Sequence, residues 1–111
     1  MKRVLFGIVV LALAAAAPAV LAGKGDAAAG KVVFAKKCAM CHGAAGEGKE
    51  AMFKMVKAEL RHLGSKEIQS KTDAALADAV TKGSGKMKPV AGLTAVEVDN
   101  LVAFVRTLKP K

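Results

Sequence analysis

Five consecutive residues, Cys38-Ala39-Met40-Cys41-His42, contain both cysteines of the chain and one of its two histidines. Two thiols at this spacing lie about one helical turn apart, so both can react with one edge of the same partner. A Cys-x-x-Cys pair serves as a redox dithiol, a disulfide or half of a zinc site, and Cys-x-x-Cys-His is the signal for covalent attachment of c-type haem. These four chemistries are the candidates for this segment.

The rest of the sequence decides among these chemistries. A thioredoxin-like dithiol requires a βαβ setting, and no stretch of the sequence alternates as a strand does. A zinc site needs four ligands, for which only Cys38, Cys41, His42 and His62 are present. A disulfide does not account for the adjacent His42. We therefore predict one covalently attached haem c: Cys38 and Cys41 add to its vinyl groups, and His42 supplies the proximal ligand of its iron.

The iron also needs a ligand on the other side of the ring. Apart from Met1, the candidates are Met40, Met52, Met55, Met87 and His62. Met40 belongs to the attachment loop on the proximal side and cannot cross the ring. Met52 and Met55 fit the apolar face of a predicted helix, where methionine is typically a packing residue. His62 lies off that face, and we expect it to be exposed or near a haem propionate.

Met87 has a different setting, the loop Gly85-Lys86-Met87-Lys88-Pro89. Glycine lets the backbone approach the haem ring closely, and Pro89 restricts the chain beyond it. No helical apolar face accounts for a methionine at this position. We therefore predict Met87 as the second axial ligand. Compared with two histidines, a His/Met pair raises the reduction potential, because thioether sulfur favours Fe(II).

Helices must position these residues, and four segments have helical periodicity. Each begins at a capping residue or ends at a glycine, and the last opens with the capping box Thr94-x-x-Glu97. The four run from Asp26 to about Cys38, from about Glu50 to Leu63 with Gly64 as its stop, from Thr72 to Gly83, and from Thr94 to Leu108. Glycine-rich connections separate them. We predict an all-α, cytochrome c-like fold of about four helices wrapped around the haem.

The composition describes a chain with little core of its own. Of the 111 residues 53% are hydrophobic, but 18 of these lie within residues 1–22. The remainder contains three phenylalanines, Phe34, Phe53 and Phe104, and the chain has no Trp or Tyr. A domain of this size is marginal without a disulfide, metal or cofactor. The net charge of +9 does not indicate a nucleic-acid-binding protein, because stacking aromatics are missing.

The amino-terminal residues have the pattern of an export signal. Lys2 and Arg3 precede the apolar run Val4–Leu13, and the segment ends Val20-Leu21-Ala22. This arrangement predicts a secretory signal over residues 1–22, cleaved after Ala22 or after Ala19, and a haem domain over residues 23–111. The alternative is an uncleaved anchor, since Val4–Ala22 is long enough to span a bilayer. After cleavage we expect no membrane span and a periplasmic location.

Together these residues resemble the class I c-type cytochromes, small bacterial electron carriers with one haem. The resemblance covers about residues 26–109 and is carried by the attachment motif with Gly43, the Gly-x-Met loop, and Gly30, Phe34, Leu101 and Phe104. It implies that the first and last helices cross closely, with Gly30 against Leu101 and Phe34 against Phe104.

Two departures from the family pattern concern the haem surroundings. Residues 43–60 contain no proline whose carbonyl would orient the proximal histidine, and no Tyr or Trp is present for the haem propionates. Arg61, His62 and Gln69 remain candidates for the propionates.

An iron with two protein ligands has no open position for substrate, so we expect a single-electron carrier and not an enzyme. We expect a monomer whose partner is an acidic oxidase, reductase or other cytochrome, steered by lysines around the haem edge. The lysines nearest the two haem loops are Lys36, Lys37, Lys49, Lys86 and Lys88. The alternatives are a haem-based ligand-binding or sensor protein with a labile Met87, a peroxidase-like enzyme, and a subunit dedicated to one oxidoreductase.

Overall fold

The computed structural model describes residues 25–110, so the predicted signal over residues 1–22 lies outside the described residues. Within 25–110 the chain forms six helices: α1 (Ala27–Lys37), α2 (Ala39–His42), α3 (Glu50–Val56), α4 (Lys66–Gln69), α5 (Asp73–Lys82) and α6 (Ala95–Val105). The β-pairing there is limited to an isolated bridge between Ser84 and Met87. The all-α prediction is confirmed. None of these helices is long and apolar enough to cross a membrane.

The three predicted capping residues begin their helices as expected. The Asp26 carboxylate accepts hydrogen bonds from two backbone N–H groups of α1, and the Thr72 hydroxyl accepts one from α5. Thr94 and Glu97 form the reciprocal capping box of α6. Each device satisfies N–H groups that the first helical turn leaves without partners. The last helix is shorter than predicted and continues as tight turns through Leu108.

The predicted helix from Glu50 to Leu63 is wrong in its second half. Helix α3 ends at Val56, and Lys57 adopts a left-handed φ of 54°. This conformation costs a non-glycine residue about 1 kcal/mol. Tertiary structure overrides the local preference here, because the consecutive residues Ala58–Arg61 all border one cavity. A continuous helix would turn some of these side chains away from it.

Two short helices, α2 and α4, are absent from the sequence predictions. Ser65 caps helix α4, and its hydroxyl accepts a hydrogen bond from the Ile68 N–H at 3.4 Å. Gly64, predicted to stop a helix, instead permits a close approach between chain segments. A Cβ on Gly64 would lie 2.7 Å from the Cα of Lys109.

The core lies where α1 crosses α6. A Cβ on Gly30 would stand 2.5 Å from the carbonyl carbon of Asn100, so only glycine allows the two backbones to approach this closely. One turn farther along α1, the rings of Phe34 and Phe104 pack with their centroids 5.0 Å apart. Phe34 is 2% exposed and Leu101 is 1% exposed. The predicted contacts between the first and last helices are confirmed.

Candidate haem site

The attachment motif lies at the end of α1, where the chain turns directly into α2. Cys38 closes α1, and its carbonyl accepts hydrogen bonds from the N–H groups of Cys41 and His42 at 3.2 and 3.0 Å. Cys38 is buried and Cys41 is half-buried, and both thiols are free. Burial, together with Cys41, raises the pKa of the Cys38 thiol to about 11. Both cysteines thus lie one helical turn apart on a rigid segment.

A glycine-rich loop then folds back over the motif. Gly43 has a φ of 79°, a left-handed conformation that ends α2 and suits glycine. The N–H of Gly48 donates to the His42 carbonyl at 2.6 Å, and the N–H of Lys49 donates to the Cys41 carbonyl at 2.9 Å. These bonds fix the backbone of the predicted proximal histidine from both sides.

Burial favours the neutral form of the His42 imidazole. Burial lowers the pKa of His42 below its usual value, and a neutral imidazole has a free nitrogen for a metal. Its Nδ1 atom is buried without a hydrogen-bond partner among residues 25–110. Protein encloses Nδ1, which leaves Nε2 as the nitrogen available to a ligand. Residues 43–60 contain no proline whose carbonyl could accept a hydrogen bond from this nitrogen, as the sequence predicts.

Three cavities share His42 and Met87 in their walls. The largest has a volume of about 490 Å³ and also borders the segment Ala58–Arg61. The second, of about 280 Å³, contains both Cys38 and Cys41 in its wall. The smallest, of about 80 Å³, reaches the core. Its apolar lining includes Phe34, Leu63, Leu76, Val80 and Leu101. The two predicted axial residues therefore border the same hollow as the two cysteines.

Met87 is presented by a tight turn. Ser84 and Met87 exchange two backbone hydrogen bonds, at 3.0 and 2.8 Å. The turn begins directly after α5, and a Cβ on Gly83 would lie 2.7 Å from the Met87 carbonyl oxygen. Another bond, from the Val90 N–H to the Val80 carbonyl at 2.8 Å, ties the loop back onto α5. Met87 is half-buried at the end of a well-anchored segment.

The other candidate ligands lie away from this hollow. Met40 is 74% exposed. Met55 is also 74% exposed, so its prediction as a core residue is wrong, because α3 turns that side chain to solvent. Met52 is half-buried and does not line any of the three cavities. His62 is half-buried, and its Nδ1 accepts a hydrogen bond from the Gly64 N–H at 2.9 Å.

The cavity wall made by Ala58–Arg61 and Leu63 is absent from the sequence predictions, because the helical periodicity of these residues predicts a helix there. Lys71, which borders the largest cavity, is absent from them as well. Of the five lysines expected around the haem edge, Lys37, Lys86 and Lys88 line the cavity that contains both cysteines. Lys36 and Lys49 are exposed but do not line it.

Comparison with known proteins identifies the family of this arrangement. Residues 25–105 match the family described as cytochrome c oxidase, cbb3-type, subunit III. The chain belongs to this family of c-type cytochromes. It is 36% identical over 95 residues to cytochrome c-554(547) of Halothiobacillus neapolitanus, covering 77% of this chain and 99% of the relative. The solved structure of the KustC0563 c-type cytochrome is similar with a TM-score of 0.62 and 27% identity, covering 73% of this chain and 98% of that one.

A c-type cytochrome has covalently bound haem c with iron, and this cofactor is therefore part of the protein. The residues present are suited to it. Two free thiols lie next to a half-buried imidazole whose neutral form burial favours, and apolar side chains line the hollow beside them. The family is one of haem-based electron carriers that react with redox partner proteins.

Proposed function

We propose that this cytochrome is a periplasmic single-electron carrier whose haem is attached through Cys38 and Cys41, with His42 and Met87 as axial ligands. The observation that carries the proposal is the placement of Met87, which lines all three cavities that border His42. The other methionines of the described segment do not line them. The Met87 thioether and the His42 imidazole both line this hollow, and each would supply one ligand to the iron.

The haem iron supplies a one-electron change between Fe(III) and Fe(II). The contribution of the chain is to keep both ligands in place through that change. The Ser84–Met87 turn restrains the methionine backbone, and the bonds from Gly48 and Lys49 restrain the segment that contains His42. Fixed ligands keep structural rearrangement small and leave no position for substrate. The site therefore favours electron transfer over an enzymatic reaction.

Replacement of the methionine tests the axial pair. Met87→Ala is expected to abolish the near-infrared Met–Fe(III) band, lower the reduction potential and open the ferrous iron to CO. Met52→Ala is the matched control, since Met52 is half-buried but lies off the cavities, and it is expected to keep the band and remain inert to CO. An unchanged spectrum for Met87→Ala would contradict the assignment. Rapid CO binding by the unmodified ferrous protein would favour a sensor with a labile ligand.

The lysines at the cysteine-lined cavity support an acidic partner. Lys37, Lys86 and Lys88 come from two separate segments and meet around this one opening. All three are exposed. A cluster of one charge sign raises the association rate of an oppositely charged protein by about 10- to 1000-fold, and salt screens the effect. We propose that an acidic redox partner docks at this opening.

Charge reversal tests the docking face. The double variant Lys86→Glu/Lys88→Glu is expected to slow electron transfer with an acidic partner at low salt by about tenfold or more and to flatten its salt dependence. The double variant Lys31→Glu/Lys109→Glu makes the same change in net charge away from the opening. Equal slowing by both double variants would show that the net charge of the protein, and not this face, determines the association rate with the partner.

The export signal is tested on the protein isolated from cells. Cleavage after Ala22 predicts a soluble periplasmic protein whose first residue is Gly23, as determined by amino-terminal sequencing and intact mass with haem. Cleavage after Ala19 would add three residues to that mass. Recovery of the full-length chain from the membrane fraction would instead support the uncleaved anchor.

A further inference from the structure

Haem carries two propionate groups, and the structure brings two cations to one part of the hollow that would receive it. Arg61 and Lys71 both line the cavity of about 490 Å³ that also borders His42 and Met87. They reach it from opposite ends of the segment that contains α4. Carboxylates taken from water into a protein need cations or hydrogen-bond donors. The chain has no Tyr or Trp to supply a donor.

Two other polar residues that the sequence offers, Gln69 and His62, lie off this cavity. The side-chain amide of Gln69 donates to the carbonyls of Leu63 and Val105, at 2.9 Å each. The ring of His62 accepts a hydrogen bond from the Gly64 N–H at 2.9 Å. Neither Gln69 nor His62 borders the large cavity.

We propose that Arg61 and Lys71 bind the haem propionates. This inference rests on the haem lying in the hollow beside His42, and it does not depend on which residue is the second axial ligand. Arg61 donates to Glu67 through Nη1 at 2.6 Å, which leaves its other N–H groups for a carboxylate. Lys71 forms no ion pair within residues 25–110, so its ammonium is available.

Arg106 holds the backbone that carries Lys71 and acts as a positioning residue. Its guanidinium donates to the carbonyl oxygens of Gln69 and Lys71 and to the carboxylate of Asp73, at 2.8, 2.5 and 2.8 Å. These three contacts fix the turn between α4 and α5 against α6. A lysine on a fixed backbone loses less freedom when it binds a carboxylate.

Other charged groups border the same cavity and bear on the propionates. Glu59 and Asp78 are acidic, and Lys86 is basic. Asp78 is paired with Lys82 at 3.4 Å, which offsets its charge. Arg61 is likewise paired with Glu67. With both pairs set aside, Lys71 and Lys86 still outnumber the carboxylate of Glu59. The cavity wall therefore carries a net positive charge, which would stabilise the anionic propionates of the haem.

The test is the pH dependence of the reduction potential of the haem-loaded protein. An ionised propionate favours Fe(III), so the potential falls as pH rises through the propionate pKa. A neighbouring cation lowers that pKa, and its removal raises it by about one unit or more. Arg61→Gln and Lys71→Gln are each expected to move the fall in reduction potential to higher pH by this amount. The same shift is expected in the carboxyl infrared bands of the reduced-minus-oxidised spectrum.

Two controls separate direct contact from general charge. Lys66 is an exposed residue of α4 that does not line the cavity, so Lys66→Gln removes one positive charge nearby and is expected to leave the pH dependence of the potential unchanged. Lys71→Arg keeps the charge and is expected to restore the unmodified behaviour. The proposal would be overturned if the potentials of Arg61→Gln and Lys71→Gln depended on pH as that of the unmodified protein does. It would also be overturned if Lys66→Gln moved the fall in potential by the same amount as these two variants. Neither result bears on Met87, whose near-infrared band is recorded on the same samples.

Discussion

The close crossing of α1 and α6 predicts that one added methyl group destabilises the protein. In Gly30→Ala the new Cβ would lie 2.5 Å from the carbonyl carbon of Asn100, where ordinary contact begins at 3.4 Å. The carbonyl oxygen of Asn100 lies nearer still to the new Cβ, so the two helix backbones must separate by more than about 1 Å. The obstacle is main chain, which cannot rotate away as a flexible side chain does. The separation also disturbs the packing of Phe34 on Phe104 one turn farther along.

The sign of this effect follows from two opposing terms. Overpacking of a close-packed core costs about 1–3 kcal/mol, and a backbone obstacle places this site near the upper value. Alanine stabilises a helix interior by about 1 kcal/mol relative to glycine. The expected net loss is about 2 kcal/mol in the free energy of unfolding. For a domain of this size that corresponds to a melting temperature lower by about 8–16 °C.

Denaturant and thermal unfolding of the ferric haem protein, followed by circular dichroism and by the haem spectrum, measure this loss. Lys31→Ala is the control, because Lys31 is the exposed neighbour of Gly30 and its replacement is expected to change stability by less than about 0.5 kcal/mol. If Gly30→Ala were as stable as the unmodified protein, or more stable, helix propensity would outweigh the clash. The close backbone contact would then be refuted.

Two further predictions concern the contacts that Arg106 makes at the end of α6 and the role of haem in folding. Arg106→Gln is expected to lower the free energy of unfolding by about 2 kcal/mol in denaturant, because it removes charged donors from two backbone carbonyls. Arg61→Gln breaks an exposed ion pair and is expected to cost under about 1 kcal/mol. Equal losses in the two variants would contradict the positioning role of Arg106. The haem-free chain is expected to be largely unfolded, so that Cys38 and Cys41 are alkylated at similar rates. If the fold were retained without haem, the pKa of Cys38 would stay at about 11, against 9.0 for an ordinary cysteine. Cys38 would then have roughly 100-fold less thiolate than an ordinary cysteine, and its alkylation would be slower by about tenfold or more.

Local signals were sufficient for the parts of the fold that depend on neighbouring residues. A helix start needs an acceptor for its first N–H groups, and Asp26, Thr72 and Thr94 supply one wherever the sequence predicts it. The attachment motif is similarly local, since five adjacent residues define it. Phe34 and Phe104 are far apart in sequence, and their contact was expected from resemblance to a family and not from spacing.

The parts of the site that depend on contacts between distant segments could not be predicted from local sequence patterns. The residues from Ala58 to Leu63 have helical periodicity, but in the structure they form an irregular segment, most of which lines the cavity. The Leu63 N–H ties this segment to the attachment loop by donating to the Gly46 carbonyl at 2.8 Å. The requirement for that wall comes from the shape of the hollow, which no local pattern encodes. Lys71 was missed for the same reason: a single lysine has no signature until the turn that carries it is placed beside a cavity.

The distribution of packing explains why haem matters to folding as well as to electron transfer. Within residues 25–110, the main helix contacts join α1 with α6, α5 with α6, and α1 with α2. Helices α3 and α4 make no comparable contact with another helix there, and the segments around them line the hollow instead. A large apolar ring in that hollow would contact both segments and the Met87 turn at once. Without haem, these segments and the Met87 turn lose the contacts that they would share, and the small core at the crossing of α1 and α6 is too little to keep the chain folded on its own. This is the physical reason to expect a largely unfolded haem-free chain.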